Sequence, residues 1–416
     1  MAETALDNSP LADDRRRARA AGSPSRRPSS AAGDTASEAS SRLAFEYIAL
    51  LLQGGGALGA YQAGVYEALV ERDLHPDWIA GISIGAINGA LIAGNAPEAR
   101  VDKLRAFWER VTAKPWWDWS AHLFPAKGDV VRQWLNQISS NIALVGGASG
   151  FFAPRSLAPW LHPPGAIEAT SAYDTNGLKA TLEQLVDFDR INSDRMRLSV
   201  GAVNARTGNF VYFDTATRKI GPEHIMASAA LPAGFPAVEI EGEHYWDGGL
   251  VSNTPLQWLV DSRPHLDTLA FQVDLWSARG ELPRTLAEVS TRQKEIQYSS
   301  RTRAGTDNIR HIQQLRRAIA DLLDKLPEEL RNGPEAQLLR PVGDHHKAYN
   351  IVHLIYRARN YEGHSKDYDF SRASMQEHWR AGYYDTIRTL RHPEVLERPA
   401  NHEGVFTFDL SQDGRE

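Results

Sequence analysis

Apolar and polar positions along the chain first mark out a strand. Tyr47-Ile48-Ala49-Leu50-Leu51-Leu52-Gln53 is an almost unbroken apolar run, the pattern of a parallel strand buried on both faces. It ends in Gly54-Gly55-Gly56-Ala57-Leu58-Gly59, after which Tyr61, Val65, Ala68 and Leu69 recur at helical spacing across 60–70. The theme repeats on a shorter scale. Ile79 to Ile82 reads as a short buried strand, Ser83 follows, and the small residues Ala86 to Ala93 read as a helix. Two more strands are expected over Arg197–Asn204 and Asn209–Asp214, turning at Arg206-Thr207-Gly208. Residues Ala237 to Tyr245 read as a hairpin turning near Gly242 and leading into Trp246-Asp247-Gly248-Gly249. A helix, then a buried strand over Leu266–Leu275, come next.

The last third changes character. Residues 284–326 are highly charged and carry Ile309, Ile312, Leu315, Ile319, Leu322, Leu323 and Leu326 on one helical stripe. The stripe predicts one or two helices with a packing face, or a surface for a second copy of the chain. Tyr349–Tyr356 reads as a strand and Asp369–Leu390 as a helix.

Composition narrows the class. The chain of 416 residues is long enough for one large α/β domain with additions. It has no cysteine, so disulfides and thiolate metal sites are absent. A net charge of −6 argues against general nucleic-acid binding. No run reaches the ~18 apolar residues of a spanning helix, and the N-terminus lacks a secretory apolar core. The expected location is cytoplasmic, with peripheral membrane attachment as the variant. Residues 1–42 are rich in Ala, Ser, Pro and Arg and are expected to be disordered. Their basic clusters, Arg15 to Arg19 and Arg26-Arg27, could attract anionic lipid, although acids such as Asp7, Asp13, Asp14, Asp34 and Glu38 offset them. Residues 102–170 carry Phe107, Trp108, Trp116, Trp117, Trp119, Phe124, Phe151, Phe152 and Trp160. They predict either an acyl-pocket wall or interfacial lid, or ordinary core packing.

The candidate chemistry centres on Gly81-Ile82-Ser83-Ile84-Gly85. A serine at a strand-to-helix turn projects its hydroxyl above the sheet edge, beside the free amides of the helix start. The glycine cluster 54–59 leaves backbone N–H groups uncovered at a second helix start, suited to a phosphate or an oxyanion. Its G-x-G-x-x-G spacing also fits a dinucleotide turn, but no acid ends the second strand, and Asp77 precedes it. Asp247-Gly248-Gly249 alone would be a turn.

Taken in order, G-G-G-x-x-G, G-x-S-x-G and D-G-G resemble the patatin-like phospholipase family. Gly59 to Gly64 and Ala227 to Pro236 resemble its bacterial members too, so that the likeness covers about residues 45–275. It implies a three-layer α/β sandwich with a mostly parallel central sheet, here with a mainly helical C-terminal extension. By the resemblance, Gly54, Gly55, Gly56, Ala57, Leu58 and Gly59 form the oxyanion loop. Gly81, Ile82, Ile84 and Gly85 form the elbow around the nucleophile Ser83, and Asp247, before Gly248 and Gly249, is the base. One departure is Leu58, where members often carry Arg or Lys, and it puts head-group preference in doubt.

The implied activity is lipid acyl ester hydrolysis through a Ser–Asp dyad, with no cofactor and no metal. The Asp must then contact Ser83 directly, and the backbone amides of Gly55 and Gly56 are the first choices as oxyanion donors. One such donor contributes about 2.7–4 kcal/mol to the transition state. The alternatives are a Ser–Asp–His triad, drawing on His345, His346, His353, His364 or His378, and a non-catalytic lipid- or granule-binding protein. The expected domains are the tail 1–42, a catalytic domain 43–280 with an aromatic insertion at about 102–190, and a C-terminal region 281–416 that could complete the sheet. A lipid or acyl ester is the expected partner, with contact to a membrane or lipid granule, and a homo-oligomer is allowed.

Overall fold

The computed structural model describes residues 45–112, 145–300, 302–343, 347–358, 362, 365–399 and 404–410. The tail, Trp116, Trp117, Trp119, Phe124, His345, His346 and His364 lie outside the described residues.

Among the described residues a mixed nine-stranded sheet forms the centre. Its strands are β1 (Tyr47–Leu52), β2 (Trp78–Ile82), β5 (Arg197–Asn204), β6 (Phe210–Asp214), β7 (Val238–Ile240), β8 (Glu243–Asp247), β9 (Thr268–Asp274), β10 (Tyr349–Ile355) and β11 (Val405–Phe408). The order is β11-β10-β9-β1-β2-β5-β8-β7, with β6 also on β5. All pairs from β11 through β5 in that order are parallel, and the pairs involving β6, β7 and β8 are antiparallel. Two short strands, β3 (Ala153–Pro154) and β4 (Tyr173–Asp174), pair separately.

The unbroken apolar runs arise because both sheet faces are covered. Leu50 and Leu52 point into one core with Ile79, Leu269, Phe271 and Val273, while Ala49 and Leu51 point into another with Trp78, Ala80 and Ala270. The first core includes α1 (Ala60–Val70), α2 (Ile84–Ala93) and α3 (Arg100–Val111). The second includes Leu256, Leu259 and Val260 of the helix Leu256–Asp261, and Ile309. The chain is thus a three-layer α/β sandwich. α2 begins at Ile84, two residues earlier than its small-residue run suggests, so that Ser83 is its N-cap.

The C-terminal third is woven into this sandwich. β10 lies beside β9, and the helix Arg372–Thr389 packs along α1. The contact is backbone on backbone: a β-carbon on Gly64 would lie 1.9 Å from the Trp379 carbonyl oxygen, and one on Gly382 would lie 2.0 Å from that of Tyr61. Residues 284–326 form two helices, Leu286–Tyr298 and Thr302–Lys325. The stripe on the second is divided, for Ile309 and Leu323 are buried while Leu315 and Leu322 are exposed.

Candidate active site

Three adjacent parallel strands, β9, β1 and β2, end side by side, with Leu52 level with both Val273 and Gly81. Loops outside the carboxyl ends of such strands are where ligands bind in open α/β sheets. The Gly54 turn, Ser83 and Trp276 therefore meet at one edge. The antiparallel β8 delivers the remaining group: β6 holds one edge of β5, and on the other edge Ile82 pairs with Gly201 and Asp247 with the next residue, Ala202, so that β2 and β8 end against each other and bring Ser83 and Asp247 together.

Ser83 has φ 55° and ψ −122°, a conformation that L-residues rarely adopt. Strain of this kind costs about 1–3 kcal/mol and persists only where the surroundings hold it. Three holds are visible. The Ser83 N–H donates to Ser228 Oγ (2.9 Å), whose own hydroxyl donates to the Gly201 carbonyl (2.7 Å). The Ser83 carbonyl accepts the Ala86 and Ile87 amides. Gly81 packs on the Gly85 backbone and Gly85 on the Leu52 carbonyl, locking the elbow to β1.

Ser83 and Asp247 line the same cavity. Asp247 is buried and accepts the Gly249 N–H at 2.7 Å. Burial pushes its pKa up to about 6, against the opposing pull of Ser83 and the Gly249 amide. Gly248 sits on the Gly201 carbonyl with no room for a side chain.

The glycine turn is pinned by its own carbonyls. The Gly54 carbonyl accepts Asn253 Nδ2 (3.0 Å) and Trp276 Nε1 (2.9 Å), and the Gly55 carbonyl accepts the Leu58 N–H (3.2 Å). In a planar trans peptide the next N–H points the opposite way from the C=O. The Gly55 and Gly56 amides are thereby aimed away from these partners, and no hydrogen bond is recorded for them among the described residues. Of the other amides in the predicted loop, Ala57 N–H donates to the Asp367 carbonyl (2.9 Å) and Leu58 N–H to Gly55. Gly54, Gly55 and Gly56 line a cavity of about 360 Å³ together with Ser83, Ile84, Asp247 and Gly249. Ala57, Leu58 and Gly59 are not among its lining residues, and the Leu58 side chain lies fully buried in the core. The departure at Leu58 therefore faces the protein interior, not the cavity.

Phe151, Phe152, Tyr173, Phe235 and Phe370 form the apolar wall, their ring centres 5.0–6.0 Å apart where they touch. The aromatic segment thus divides: Phe151 and Phe152 face the cavity, while Phe107 and Trp108 are core, with Trp108 Nε1 donating to Asn88. Trp160 is 82% exposed.

Sequence reasoning missed Gln53, Asn253, Ser228, Trp276 and Asp367. Gln53 accepts the Leu275 and Trp276 amides and donates to Thr254 and to the Tyr298 carbonyl. A polar residue ending an apolar strand beside the glycines was the one available signal. Among the described residues no histidine lines the cavity. His353 lies by Asp274 (3.8 Å) and His378 by Glu362 (3.7 Å), both in buried clusters outside the cavity lining.

A strained serine at a strand-to-helix turn that shares a cavity with a buried carboxylate and a glycine turn defines an α/β protein of the serine-elbow class. Residues 50–260 match the family described as patatin-like phospholipase, and residues 296–402 match one described as patatin phospholipase. The first match alone spans half of the chain, which belongs to the patatin-like phospholipase family. The second lies in the part that the sequence motifs do not reach. The chain is 28% identical over 222 residues to the cGAMP-activated phospholipase of Pseudomonas aeruginosa, covering 50% of this chain and 54% of that protein. It is 51% identical over 55 residues to lysophospholipase nte1 of Aspergillus terreus, covering 13% of this chain and 4% of that one. It is 42% identical over 69 residues to patatin-like phospholipase domain-containing protein 7 of Rattus norvegicus, covering 17% and 4%. The chain spans about half of the bacterial relative and a small part of the others. VipD from Legionella pneumophila is similar over 83% of this chain and 67% of that one, at 16% identity and a TM-score of 0.37, too loose a likeness to carry weight.

Proposed function

We propose that the protein is a serine lipid acyl hydrolase, of phospholipase A or esterase type, working through a Ser83–Asp247 dyad. The observation that carries this reading is the strained Ser83 and the buried Asp247 brought together where β2 and β8 end on β5, inside a cavity that Gly55 and Gly56 also line.

A serine hydroxyl is a weak nucleophile until a neighbouring base takes its proton. In this scheme Asp247 takes the proton as Ser83 Oγ attacks the ester carbonyl. The oxygen of the tetrahedral intermediate becomes an oxyanion, held by the Gly55 and Gly56 amides. The C–O bond to the alcohol breaks, and the alcohol leaves with the proton from Asp247. Water then gives its proton to Asp247 and attacks the acyl-enzyme, and the acid departs as Ser83 recovers its proton. A pKa near 6 makes Asp247 a stronger base than an ordinary carboxylate yet leaves it ionised at neutral pH. The aromatic wall supports an acyl chain as occupant. The exposed Trp160, Leu161 and Ile167 support peripheral contact with a lipid surface. Residues 43–280 are read as the catalytic domain, with 281–416 supplying β10, β11 and part of the cavity wall.

A fluorophosphonate probe should label the wild-type protein at Ser83 and spare Ser83→Ala. Hydrolysis of a lipid-ester panel should proceed without added calcium. An unlabelled wild-type protein would leave only the non-catalytic lipid-binding reading.

A further inference from the structure

The glycine turn is gripped from the C-terminal third. The Asp367 carbonyl accepts the Ala57 N–H at 2.9 Å, and the same oxygen would lie 2.4 Å from a β-carbon on Gly56, whose φ is +56°. The backbone of the turn is thus moulded against the backbone of Asp367, and no residue but glycine fits at 56.

What holds Asp367 there is ionic. Lys294 Nζ lies 3.1 Å from both Asp367 carboxylate oxygens and 4.3 Å from the centre of the Tyr368 ring. The neighbouring Lys366 bonds Glu295 at 2.7 Å and lies 5.3 Å from the centre of a Trp276 ring. Segment 366–368 is therefore tied twice to the helix Leu286–Tyr298, and both ties reach the turn. Trp276 donates to the Gly54 carbonyl, and the Tyr298 carbonyl accepts Asn253 Nδ2, which also donates to Gly54. These groups lie outside the sequence motifs at 54–59, 81–85 and 247–249.

We propose that the Lys294–Asp367 ion pair is a positioning device for the oxyanion turn, fixing the direction of the Gly55 and Gly56 amides without touching the substrate. The proposal rests on the dyad reading above. Taking up the Ala57 N–H also leaves those two amides as the donors offered at this end of the cavity. A displacement of about 1 Å in a catalytic group can cost on the order of 10²-fold in rate, so the pair should be visible in kcat.

The test compares Lys294→Met, Asp367→Asn and the double variant with the wild type, on a p-nitrophenyl ester and a fluorophosphonate. Lys294→Met leaves a buried carboxylate without its counter-ion and should lose roughly 10- to 100-fold in kcat, with KM little changed. Phosphonylation of Ser83 should slow in parallel, because the phosphonyl oxygen uses the same amides. Asp367→Asn should lose less, and the double variant no more than Lys294→Met, since the two side chains act as one unit. If Lys294→Met fails to fold, Asp367→Asn and the double variant decide by the same measurements. The proposal is overturned if the folded variants keep wild-type kcat and labelling rate, if the loss falls on KM alone, or if the two losses simply add. A wild-type protein that does not label removes the dyad reading and this proposal with it.

Discussion

Ser83 and Asp247 meet on one edge of β5, where the ends of β2 and β8 face each other, a strained serine and a buried carboxylate lining one cavity. Burial raises the Asp247 pKa from 3.8 to about 6. In the proposed role of base, Asp247 acts only when ionised. Activity should therefore rise with pH through a single step near 6 and be lost below it, as a profile of kcat/KM against pH will show. A step near 4 would remove Asp247 as base.

The same shift has a stability consequence of opposite sign. Between about pH 4 and 6 the folded protein keeps a proton on Asp247 that the unfolded chain has released, so this group's contribution falls as pH rises through that window. At neutral pH the ionised carboxylate costs on the order of 2–3 kcal/mol. Asp247→Asn should abolish ester hydrolysis while raising the melting temperature at pH 7. The gain should shrink as the pH is lowered toward 4.

Ser228 carries no reacting atom yet accepts the Ser83 N–H. Ser228→Ala should cost about 1 kcal/mol for the lost hydrogen bond and lower kcat as the elbow relaxes, with KM little altered. Denaturant melts and steady-state kinetics on the same preparation measure both.

Gly64→Ala tests the fusion of the C-terminal third to the core. Helix propensity alone would favour Ala by about 1 kcal/mol. The 1.9 Å approach to the Trp379 carbonyl outweighs it, since backbone cannot move aside as a flexible side chain can. A destabilisation of about 3 kcal/mol is expected, read by thermal unfolding. A more stable variant would show that the two helices separate easily.

Phe235 touches Phe151, Phe152 and Tyr173 across the cavity wall. Phe235→Ala should raise kcat/KM for long-chain acyl esters relative to short ones in a chain-length series. An unchanged ratio would place the acyl chain elsewhere.

Much of this protein was legible in local patterns. The unbroken run at Tyr47–Leu52 announced a strand covered on both faces, and the Glu241-Gly242 turn of the β7–β8 hairpin lies where the glycine pointed. Gly54–Gly56, Ser83 and Asp247 could be singled out because tight turns and helix starts demand particular residues within a few positions of one another. What the sequence by itself determined, then, is the set of elements and the short segments where chemistry could sit. Tertiary structure decided the rest. Only the strand register brings Asp247 together with Ser83, and only burial there lifts its pKa. Only packing turns Leu58 into the core, and splits the aromatic residues between core, cavity wall and surface. Ser228, Asn253, Trp276 and Asp367 bear no local mark of their part, because each acts on a backbone group brought to it by the fold from far along the chain.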